Sequence, residues 1–398
     1  MKIAHIVRRF TFSEWGGTES VVWHIAREQK AQGLTPVILC TAALDKVGTE
    51  VIEGITIKRF PYFYPYIPMP EKDKLALDKK GGNPFAPELM KELRRGGFDV
   101  FHIHAGGRLA NYAMRLARKN SIPSVMSLHG GSCAIPEQEM AFMLQPLKHK
   151  FSYGGIVDRL YRMRTAPESK ADVLLALSKE EVSKLQQHYP GKRVELFPNG
   201  ILHRELPEAG FFRKKYHIRE DKKIILCISR IDYQKNQKIA LELLKNHADT
   251  HLLLIGPVTA GWYLEEILAE AEKSGIKERL TVIPGLPPVS IELLQALKTA
   301  YCFILPSRHE PFGIAALEAL DAQVPLIASA VGGLKDFLIN GKNALLFEDN
   351  NVDELLKAYA ALADSRDELI AGGTATAAEY NWQSIAMRLT EIYRGLLP

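Results

Sequence analysis

Long apolar runs and paired cysteines are what this 398-residue sequence lacks. No run approaches the roughly 18 residues that a membrane-spanning helix needs. The first residues, Met1–Arg8, lead into an apolar strand pattern without the signals of a secretory leader, so we expect a cytoplasmic protein. The four cysteines, at positions 40, 133, 227 and 302, form no CxxC pair for zinc or redox chemistry, and we expect buried core thiols.

Cofactor and nucleic-acid motifs are missing as well. The sequence has neither the GxGxxG pattern of dinucleotide-binding domains nor the GxxxxGK[ST] pattern of P-loops. Its basic residues follow no recognisable motif for binding RNA or DNA. A nicotinamide enzyme, a P-loop enzyme and a nucleic-acid binder are therefore disfavoured.

The composition is ordinary for a soluble α/β protein, with 46% hydrophobic and 24% charged residues, and the length favours two domains. The charge is divided unevenly. Residues 1–207 hold 30 Lys and Arg against 21 Asp and Glu, a balance of +9, whereas the remainder holds 21 against 25, a balance of −4. A basic half could face phosphate, nucleic acid or an anionic membrane, and the count alone does not choose.

Short apolar runs alternate with helix-spaced stretches from Lys2 onward, and the alternation restarts at Lys223. Continuous apolar strands between helices indicate parallel sheets that are covered on both faces. The predicted fold class is α/β, with two doubly wound Rossmann-like domains. A turn-rich stretch, 198–210, interrupts the pattern, so we place one domain at residues 1–200 and the other at 207–379.

Ligands of open α/β sheets bind beyond the carboxyl ends of the strands, so strand-to-helix loops hold the candidate residues. Gly16 and Gly17 follow the first strand, where a glycine pair lets backbone N–H groups approach a phosphate, although a plain tight turn is an equal alternative. Thr18 is the expected N-cap of the next helix. Arg230 and Lys235 follow the first strand of the second half and could hold a diphosphate; the alternative is a solvated surface pair.

The segment 310–318 begins and ends with a carboxylate. Pro311 suits a first helical position, and the next three backbone N–H groups would then seat an anion. The two carboxylates, Glu310 and Glu318, lie roughly 12 Å apart along a helix axis. An acid and nucleophile pair needs about 5 Å. We therefore expect each carboxylate to contact a different part of one elongated ligand.

Together these features resemble the retaining family 4 glycosyltransferases of the GT-B fold. The residues that carry the resemblance are two carboxylates with seven residues between them, a pair of cations, a Gly-Gly loop and a histidine that ends a strand: Glu310, Glu318, Arg230, Lys235, Gly16, Gly17 and His129. The resemblance covers the whole chain, because Pro198-Asn199-Gly200 is similar to the family's link between domains and Val331–Phe347 to its Gly-Gly stretch. It implies two domains that face each other across a cleft, with a last helix, 380–398, that returns to the acceptor-side N-terminal domain.

The resemblance also implies a role for each position. Glu310 would bind hydroxyls of the donor sugar, Glu318 would hold the ribose hydroxyls, and His129 would lie close to the donor sugar. Arg230 and Lys235 would neutralise the diphosphate leaving group. The backbone would add further donor contacts at Gly16, Gly17, Phe312, Gly313 and Ile314. The base would pack beside the loop of Pro284, Gly285 and Leu286.

The implied reaction is a retaining transfer of a hexose-type sugar from a nucleotide sugar, with UDP- or GDP-sugars expected, to a hydroxyl acceptor. The acceptor would be a glycan, a lipid-linked sugar or a small molecule, in polysaccharide or glycoconjugate biosynthesis. The family needs no metal and no cofactor beyond the co-substrate, and the lack of a DxD pair placed for a divalent ion agrees with that. The departing phosphate would take the acceptor's proton, so the protein would contribute closure, positioning and leaving-group stabilisation.

Lys148–Arg164 mixes basic and aromatic residues. Such a segment could lie on an anionic membrane on the cytoplasmic face or hold a lipid diphosphate acceptor, and the alternative is a solvated helix face. Three other functions stay open for the whole chain: a GT-B phosphorylase or sugar-nucleotide epimerase, a catalytically silent sugar-nucleotide-binding protein, and a dehydrogenase. The four intact charged residues at positions 230, 235, 310 and 318 argue against the silent protein.

Overall fold

The computed structural model of the chain describes residues 1–13, 16–79, 81–129, 144–163, 166–287 and 290–397. The chain divides into two compact units: unit 1 is Met1–Asn199 with Trp382–Pro398, and unit 2 is Gly200–Asn381. Each unit contains a largely or wholly parallel sheet flanked by helices. The predicted α/β class with two Rossmann-like domains is confirmed.

The strands are β1 (Lys2–Arg9), β2 (Thr35–Thr41), β3 (Gly48–Ile52), β4 (Ile55–Phe60), β5 (Tyr66–Ile67), β6 (Val100–Ile103), β7 (Ser124–Ser127), β8 (Phe151–Ser152), β9 (Val173–Ala176), β10 (Arg193–Leu196), β11 (Lys223–Ile228), β12 (Thr250–Ile255), β13 (Leu280–Ile283), β14 (Ala300–Leu305), β15 (Leu326–Ser329) and β16 (Leu345–Phe347). The helices are α1 (Gly17–Ala31), α2 (Glu71–Lys79), α3 (Pro87–Arg95), α4 (Gly107–Lys119), α5 (Gly154–Leu160), α6 (Lys179–His188), α7 (Phe212–Lys215), α8 (Leu241–Asn246), α9 (Gly261–Lys273), α10 (Ile291–Thr299), α11 (Ile314–Asp321), α12 (Val352–Ala378) and α13 (Trp382–Arg394).

Unit 1 is built on an eight-stranded sheet in the order β10-β9-β7-β6-β1-β2-β4-β3, in which only β3 runs antiparallel to its neighbour. Helices α3 and α4 pack on one face of this sheet and α1 on the other, so its central strands are apolar on both sides. In β1, Ile3 and Ile6 are fully buried. The short antiparallel pair of β5 and β8 lies apart from the main sheet.

Helix α13 completes unit 1, although it follows unit 2 in the sequence. Its apolar face buries Trp382, Leu389 and Tyr393, at the i, i+7 and i+11 spacing of one helix face. Its partner is α1: the Thr390 hydroxyl donates to Gln32 Oε1 at 2.7 Å. The C-terminal helix therefore belongs to the core that the first 199 residues build.

Unit 2 contains a wholly parallel six-stranded sheet in the order β13-β12-β11-β14-β15-β16. The chain adds β12 and β13 on one side of β11 and then returns to place β14 on the other side. The strand order therefore reverses between β11 and β14. Such a switch point leaves a crevice at the carboxyl ends of the two strands.

Two helix starts differ from their predictions. Gly16, not Thr18, is the N-cap of α1, with extended backbone and no capping side chain. Helix α11 begins at Ile314 and not at Pro311, because Gly313 has φ of +99° and a left-handed residue cannot continue a right-handed helix. The prediction of Pro311 as a first helical residue was wrong.

The cysteines and the membrane prediction can be compared with the described residues. Cys40, Cys227 and Cys302 are buried free thiols, and burial raises the pKa of each. Cys133 lies outside the described residues. Among the helices of the described ranges, none combines the length and the apolarity that crossing a bilayer requires.

Candidate functional site

Charged residues from two separate segments meet at the switch point of unit 2. Arg230 and Lys235 follow β11, and Glu310 follows β14, which pairs with β11 in parallel. The Lys235 ammonium lies 2.6 Å from Glu310 Oε2, and only 14% and 12% of the two side chains are exposed. The structure thus brings together two residues that the sequence analysis singled out for different parts of one ligand.

The Glu310 carboxylate is held on one side only. The Ser307 hydroxyl donates to Oε2 at 3.1 Å, alongside Lys235, so that oxygen has two donors. Within the described residues Oε1 has no hydrogen-bond partner. The sequence analysis missed Ser307, which is fully buried three residues before Glu310. A serine directly after an apolar strand was the available signal.

The loop that carries Glu310 is packed against two glycines that follow β15. A Cβ atom added to Gly332 would lie 2.2 Å from the Glu310 carbonyl oxygen, and one added to Gly333 would lie 2.2 Å from that of Pro311. Gly333 also donates its N–H to the Glu310 carbonyl at 2.9 Å. Only glycine permits this approach. Both glycines lie in the stretch 331–347, but the sequence analysis gave them no role at the site.

Asp232 shapes the loop that carries the two cations. Its carboxylate accepts from the backbone N–H groups of Gln234 and Lys235, at 3.0 and 3.3 Å, and caps a short 3₁₀ turn. Its second oxygen lies 3.3 Å from Arg230 Nη1. The Arg230 side chain is 41% exposed, so its guanidinium stays accessible. The sequence analysis missed Asp232, for which the N-cap preference of aspartate was the signal.

Glu318 stands alone on α11. Its carboxylate makes no hydrogen bond or ion pair with the described residues, and the cation that most affects it is Arg204. Burial raises the pKa of Glu318, because the charged form loses solvation there. A ligand that donates hydrogen bonds would compensate the charged carboxylate.

Pro284, Gly285 and Leu286 follow β13, at the same carboxyl edge of the sheet as the charged residues. Gly285 has φ of +129°, which favours glycine, and donates its N–H to the Ile283 carbonyl at 2.8 Å. Pro284 is exposed. All predicted donor residues of unit 2 therefore follow strands β11, β13 or β14.

Gly16, Gly17 and His129 belong to unit 1. A Cβ added to Gly17 would meet no atom within 4 Å, so the first turn of α1 is open there. Close to Gly16 lies the carboxylate of Glu19, which is buried and paired with Arg9 at 3.0 Å. Beside these glycines, unit 1 therefore holds a carboxylate that the sequence analysis did not consider.

His129 follows β7 with φ of +51°. Its Nε2 lies 3.0 Å from Nδ1 of His104. Burial lowers the pKa of His129 to about 4, so the imidazole is neutral near neutral pH. It therefore acts through hydrogen bonds and not as a cation.

Among the described residues, one group of three side chains has the proximity that metal binding needs: His5, His102 and His104. All three are buried in unit 1. Each ring nitrogen of the three already has a hydrogen-bond partner, at 2.6–3.1 Å. The group is therefore described as a hydrogen-bonded network below.

A cavity of about 530 Å³ lies elsewhere in unit 2, lined among others by Arg204, Lys298, Ala300 and Asp321. Ala300 is the first residue of β14, so the cavity opens at the amino end of that strand. Ligands of doubly wound sheets bind at the opposite edge. We therefore take the carboxyl edge, where the charged residues meet, as the candidate site.

The segment Lys148–Arg164, for which a membrane contact and a solvated helix face were both left open, is only partly exposed in the residues that the structure describes. Phe151, Ile156 and Leu160 are 69%, 62% and 74% exposed. The Lys150 ammonium instead pairs with Asp73 at 2.5 Å. The exposed cations of the segment are Lys148, Arg159 and Arg162.

Tyr161, another inward residue of this segment, packs edge-on against Phe85 with 4.8 Å between ring centroids. Both Lys150 and Tyr161 therefore make contacts within unit 1 itself. Arg164 lies outside the described residues.

Two family models together match most of the chain. The model "Glycosyltransferase Family 4" matches residues 15–203, and the model "Glycosyl transferases group 1" matches residues 209–373. The first match lies almost wholly within the first 199 residues of unit 1, and the second lies within unit 2.

Similar proteins agree with these matches. The chain is 27% identical to D-inositol 3-phosphate glycosyltransferase 1 of Catenulispora acidiphila, over 96% of this chain and 91% of the relative. It is 30% identical to the D-inositol 3-phosphate glycosyltransferase of Nocardia farcinica, over 79% of this chain and 71% of the relative. The Anabaena protein Alr3699/HepE, solved in complex with UDP-glucose, has the same fold, with a TM-score of 0.71 at 16% identity over 99% of this chain and 100% of that one. The chain therefore belongs to the group 1 glycosyltransferases, enzymes of the GT-B fold.

Proposed function

We propose that this glycosyltransferase moves a hexose-type sugar from a UDP- or GDP-sugar to a hydroxyl acceptor, with retention of configuration and without a metal ion. The observation that carries the proposal is the Lys235–Glu310 pair at the switch point of unit 2, with 2.6 Å between Nζ and Oε2. A glycan or lipid-linked sugar in polysaccharide or glycoconjugate biosynthesis is the acceptor class we propose.

The donor sugar is assigned to Glu310. Because Lys235 and Ser307 occupy Oε2, the carboxylate cannot turn, and Oε1 is left to accept a hydrogen bond from a sugar hydroxyl. A carboxylate held in this way by two donors is a weak nucleophile. This supports a role in positioning the sugar and not in a covalent intermediate.

The diphosphate and the ribose are assigned to the neighbouring residues. Arg230 is exposed and lies 3.3 Å from Asp232, so its guanidinium can turn to two phosphate oxygens at little cost. Glu318 offers two acceptor oxygens without a partner among the described residues, which suits the two ribose hydroxyls. The cations replace the metal ion that other transferases use to stabilise a leaving diphosphate.

Retention is supported by what the neutral His129 cannot do. An imidazole with a pKa of about 4 is a weak base for removing the proton of an acceptor hydroxyl, the step that an inverting transfer needs, and it is assigned to a hydrogen bond with the donor sugar. The leaving phosphate oxygen is then the base that takes the proton of the acceptor hydroxyl on the same face of the sugar. The enzyme contributes positioning and charge stabilisation.

Thermal unfolding of the metal-free enzyme against UDP, GDP, ADP, CMP and their sugars tests the donor site. We expect one base to stabilise the fold, by about 2.7 kcal/mol at a ligand concentration one hundred times the dissociation constant. Arg230→Ala should abolish this shift, whereas Arg219→Ala, which removes an exposed arginine of the same unit, should keep it. No shift with any nucleotide would contradict the proposal.

Product analysis tests the reaction. With a donor, a hydroxyl acceptor and a chelator, we expect a glycoside with the anomeric configuration of the donor, and Glu310→Ala should abolish transfer without unfolding the protein. An inverted product, or a strict need for a divalent ion, would overturn the mechanism. A sugar nucleotide converted without any acceptor would instead identify an epimerase.

We also propose that α5 and β8 contact an anionic membrane surface, where a lipid-linked acceptor would be found. Three exposed apolar side chains share this segment with three exposed cations, the combination that favours an anionic interface. Ile156→Ser with Leu160→Ser should weaken binding to anionic vesicles by about tenfold or more. The control is Ile291→Ser, which changes a side chain that is 67% exposed in unit 2. Equal binding of all variants would refute this contact.

A further inference from the structure

A chain of hydrogen bonds runs through the core of unit 1 and ends at His129. Its members come from different elements: Gln29 from α1, His5 from β1, and His104 and His129 from the residues that follow β6 and β7. Strands β7, β6 and β1 are neighbours in the sheet, which places the three imidazoles side by side.

The distances define an uninterrupted path. Gln29 Oε1 lies 2.8 Å from Nε2 of His5, and Nδ1 of His5 lies 3.1 Å from Nε2 of His104. The last link is the contact of 3.0 Å between Nδ1 of His104 and Nε2 of His129. Both ring nitrogens of His5 and of His104 are therefore occupied.

All three imidazoles are neutral near neutral pH. Burial lowers the pKa of His5 and of His129 to about 4. Burial also holds the pKa of His104 well below its ordinary value, and the neighbouring histidines lower it further. A neutral imidazole has one N–H donor and one lone pair, so each ring passes on the direction of the hydrogen bond that it receives.

The proton positions follow from the first member of the chain. An amide oxygen can only accept, so His5 carries its proton on Nε2 and accepts at Nδ1. His104 must then donate from Nε2 and accept at Nδ1, and His129 must donate from Nε2. Within the described residues, Nδ1 of His129 has no partner, and it is left as a bare acceptor.

The other end of the Gln29 side chain contacts Tyr393, whose hydroxyl accepts from the amide when it donates to His102. Its Nε2 donates to the Tyr393 hydroxyl at 3.4 Å, and that hydroxyl lies 2.6 Å from Nδ1 of His102. If the amide were reversed, it would donate to His5, and every proton along the chain would move to the opposite nitrogen. His129 would then present a donor in place of an acceptor.

We propose that Gln29 is a positioning residue that sets the tautomer of His129 through His5 and His104, so that Nδ1 of His129 accepts a hydrogen bond from a sugar hydroxyl. The part that concerns the sugar rests on the proposed function, whereas the tautomer itself does not. Gln29 is fully buried and is linked to His129 through the imidazoles of His5 and His104.

The first test measures the tautomers in the unliganded wild-type protein. Selective ¹⁵N labelling of the 12 histidines and two-bond ¹⁵N–¹H correlation spectra distinguish protonated from bare ring nitrogens. His129→Gln assigns the signal of that residue by its loss. We expect neutral His129 with the proton on Nε2; a proton on Nδ1, or a charged ring near neutral pH, would overturn the proposal.

The second test removes the anchor. Gln29→Met keeps the volume of the side chain but deletes both amide groups, so we expect a mixture of His129 tautomers. The value of kcat/KM should fall with the fraction in the wrong tautomer, about two- to tenfold for a fraction between half and nine-tenths. Thr390→Val is the matched control, because it removes a different hydrogen bond between α1 and α13 and should leave the tautomer unchanged.

The outcomes separate this inference from the proposed function. If His129 has the expected tautomer but the protein shows no transferase activity, the chain of hydrogen bonds is supported and the proposed function is refuted. If the enzyme is active but its Gln29→Met variant keeps the single wild-type tautomer of His129, only the role of Gln29 is refuted. A metal ion retained in equimolar amount by the purified protein, with metal-shifted signals of His5, His102 and His104, would also overturn the chain of hydrogen bonds.

Discussion

Glu318 is a single residue that the fold holds in an environment unfavourable to its charge. Its carboxyl group lies on α11 without a partner among the described residues, and burial raises its pKa above the ordinary value of 4.5. The folded state therefore keeps a proton that the unfolded state releases, in the window between these two pKa values. The free energy of unfolding must fall as the pH rises through that window.

Glu318→Gln removes this titration. Relative to the wild type, we expect the variant to be equally stable below the ordinary pKa of 4.5 and increasingly more stable as the pH rises above it, up to the pKa of the folded state. Thermal melts of both proteins across this range provide the measurement. The control is the exposed Glu368: the stability difference between Glu368→Gln and the wild type should not change with pH. A stability difference that does not change with pH would show that the carboxyl titrates normally.

The sequence predicted which residues carry charge at the switch point but not how they pair. Spacing after apolar runs was enough to single out Arg230, Lys235, Glu310 and Glu318. The contact between Lys235 and Glu310 depends on the pairing of β11 with β14, which brings together residues that are 75 positions apart. Local patterns contain no information about that pairing.

At the scale of elements, the position of Glu310 depends on the glycine turn that follows β15. Gly332 has φ of +49° and lies against the Glu310 backbone, where a Cβ would be 2.2 Å from the carbonyl oxygen. Gly341 also has positive φ, +75°, but a Cβ there would meet nothing within 4 Å. Both glycines thus have a left-handed backbone conformation, but only Gly332 lies close to the backbone of another loop.

Gly332→Ala and Gly341→Ala should therefore separate the two effects. In both variants an alanine must adopt a left-handed conformation, which lowers the free energy of unfolding by about 1–2 kcal/mol. Only Gly332→Ala must also displace the loop of Glu310, so we expect transfer to fall about 100-fold in that variant alone. Denaturant unfolding and initial rates are the two measurements. Similar activity in both variants would mean that the loop position does not control catalysis.

The helix starts illustrate what sequence patterns miss at this scale. Pro311 and Thr18 are residues that favour first turns and caps, and both led to wrong helix starts. In the structure the N-caps are Gly313 and Gly16. At Gly313 a Cβ would lie 2.4 Å from the Leu334 side chain, so tertiary packing overrides the local preference there. The alternation of strands and helices was nevertheless sufficient for the α/β class, since it repeats over long, strongly patterned segments.

For the molecule as a whole, the buried histidines make unit 1 the acid-sensitive part. Burial lowers the pKa of His5 and His129 to about 4 and that of His102 and His104 well below the ordinary 6.5. The unfolded chain binds protons at these sites from 6.5 downward, and the folded chain does not. Unit 1 therefore loses up to about 1.4 kcal/mol per pH unit for each histidine as the pH falls.

Hydrogen exchange measured by mass spectrometry on the full chain can follow the two units separately. Between about pH 7 and about pH 5, we expect peptides of unit 1 to lose protection before those of unit 2, where His251 is the described histidine with a lowered pKa. His102→Gln should lessen the acid sensitivity of unit 1 if the variant folds. Loss of protection in unit 2 first would contradict this account.

The return of α13 to unit 1 reverses the order of folding relative to the order of synthesis. A ribosome delivers residues 1–199 first, yet Gln29 and His102 receive their Tyr393 partner only with the last residues of the chain. Residues 200–381 have all emerged before that moment. The later part of the chain is thus free to fold on the ribosome, while the core of the earlier part stays incomplete until α13 has been synthesised.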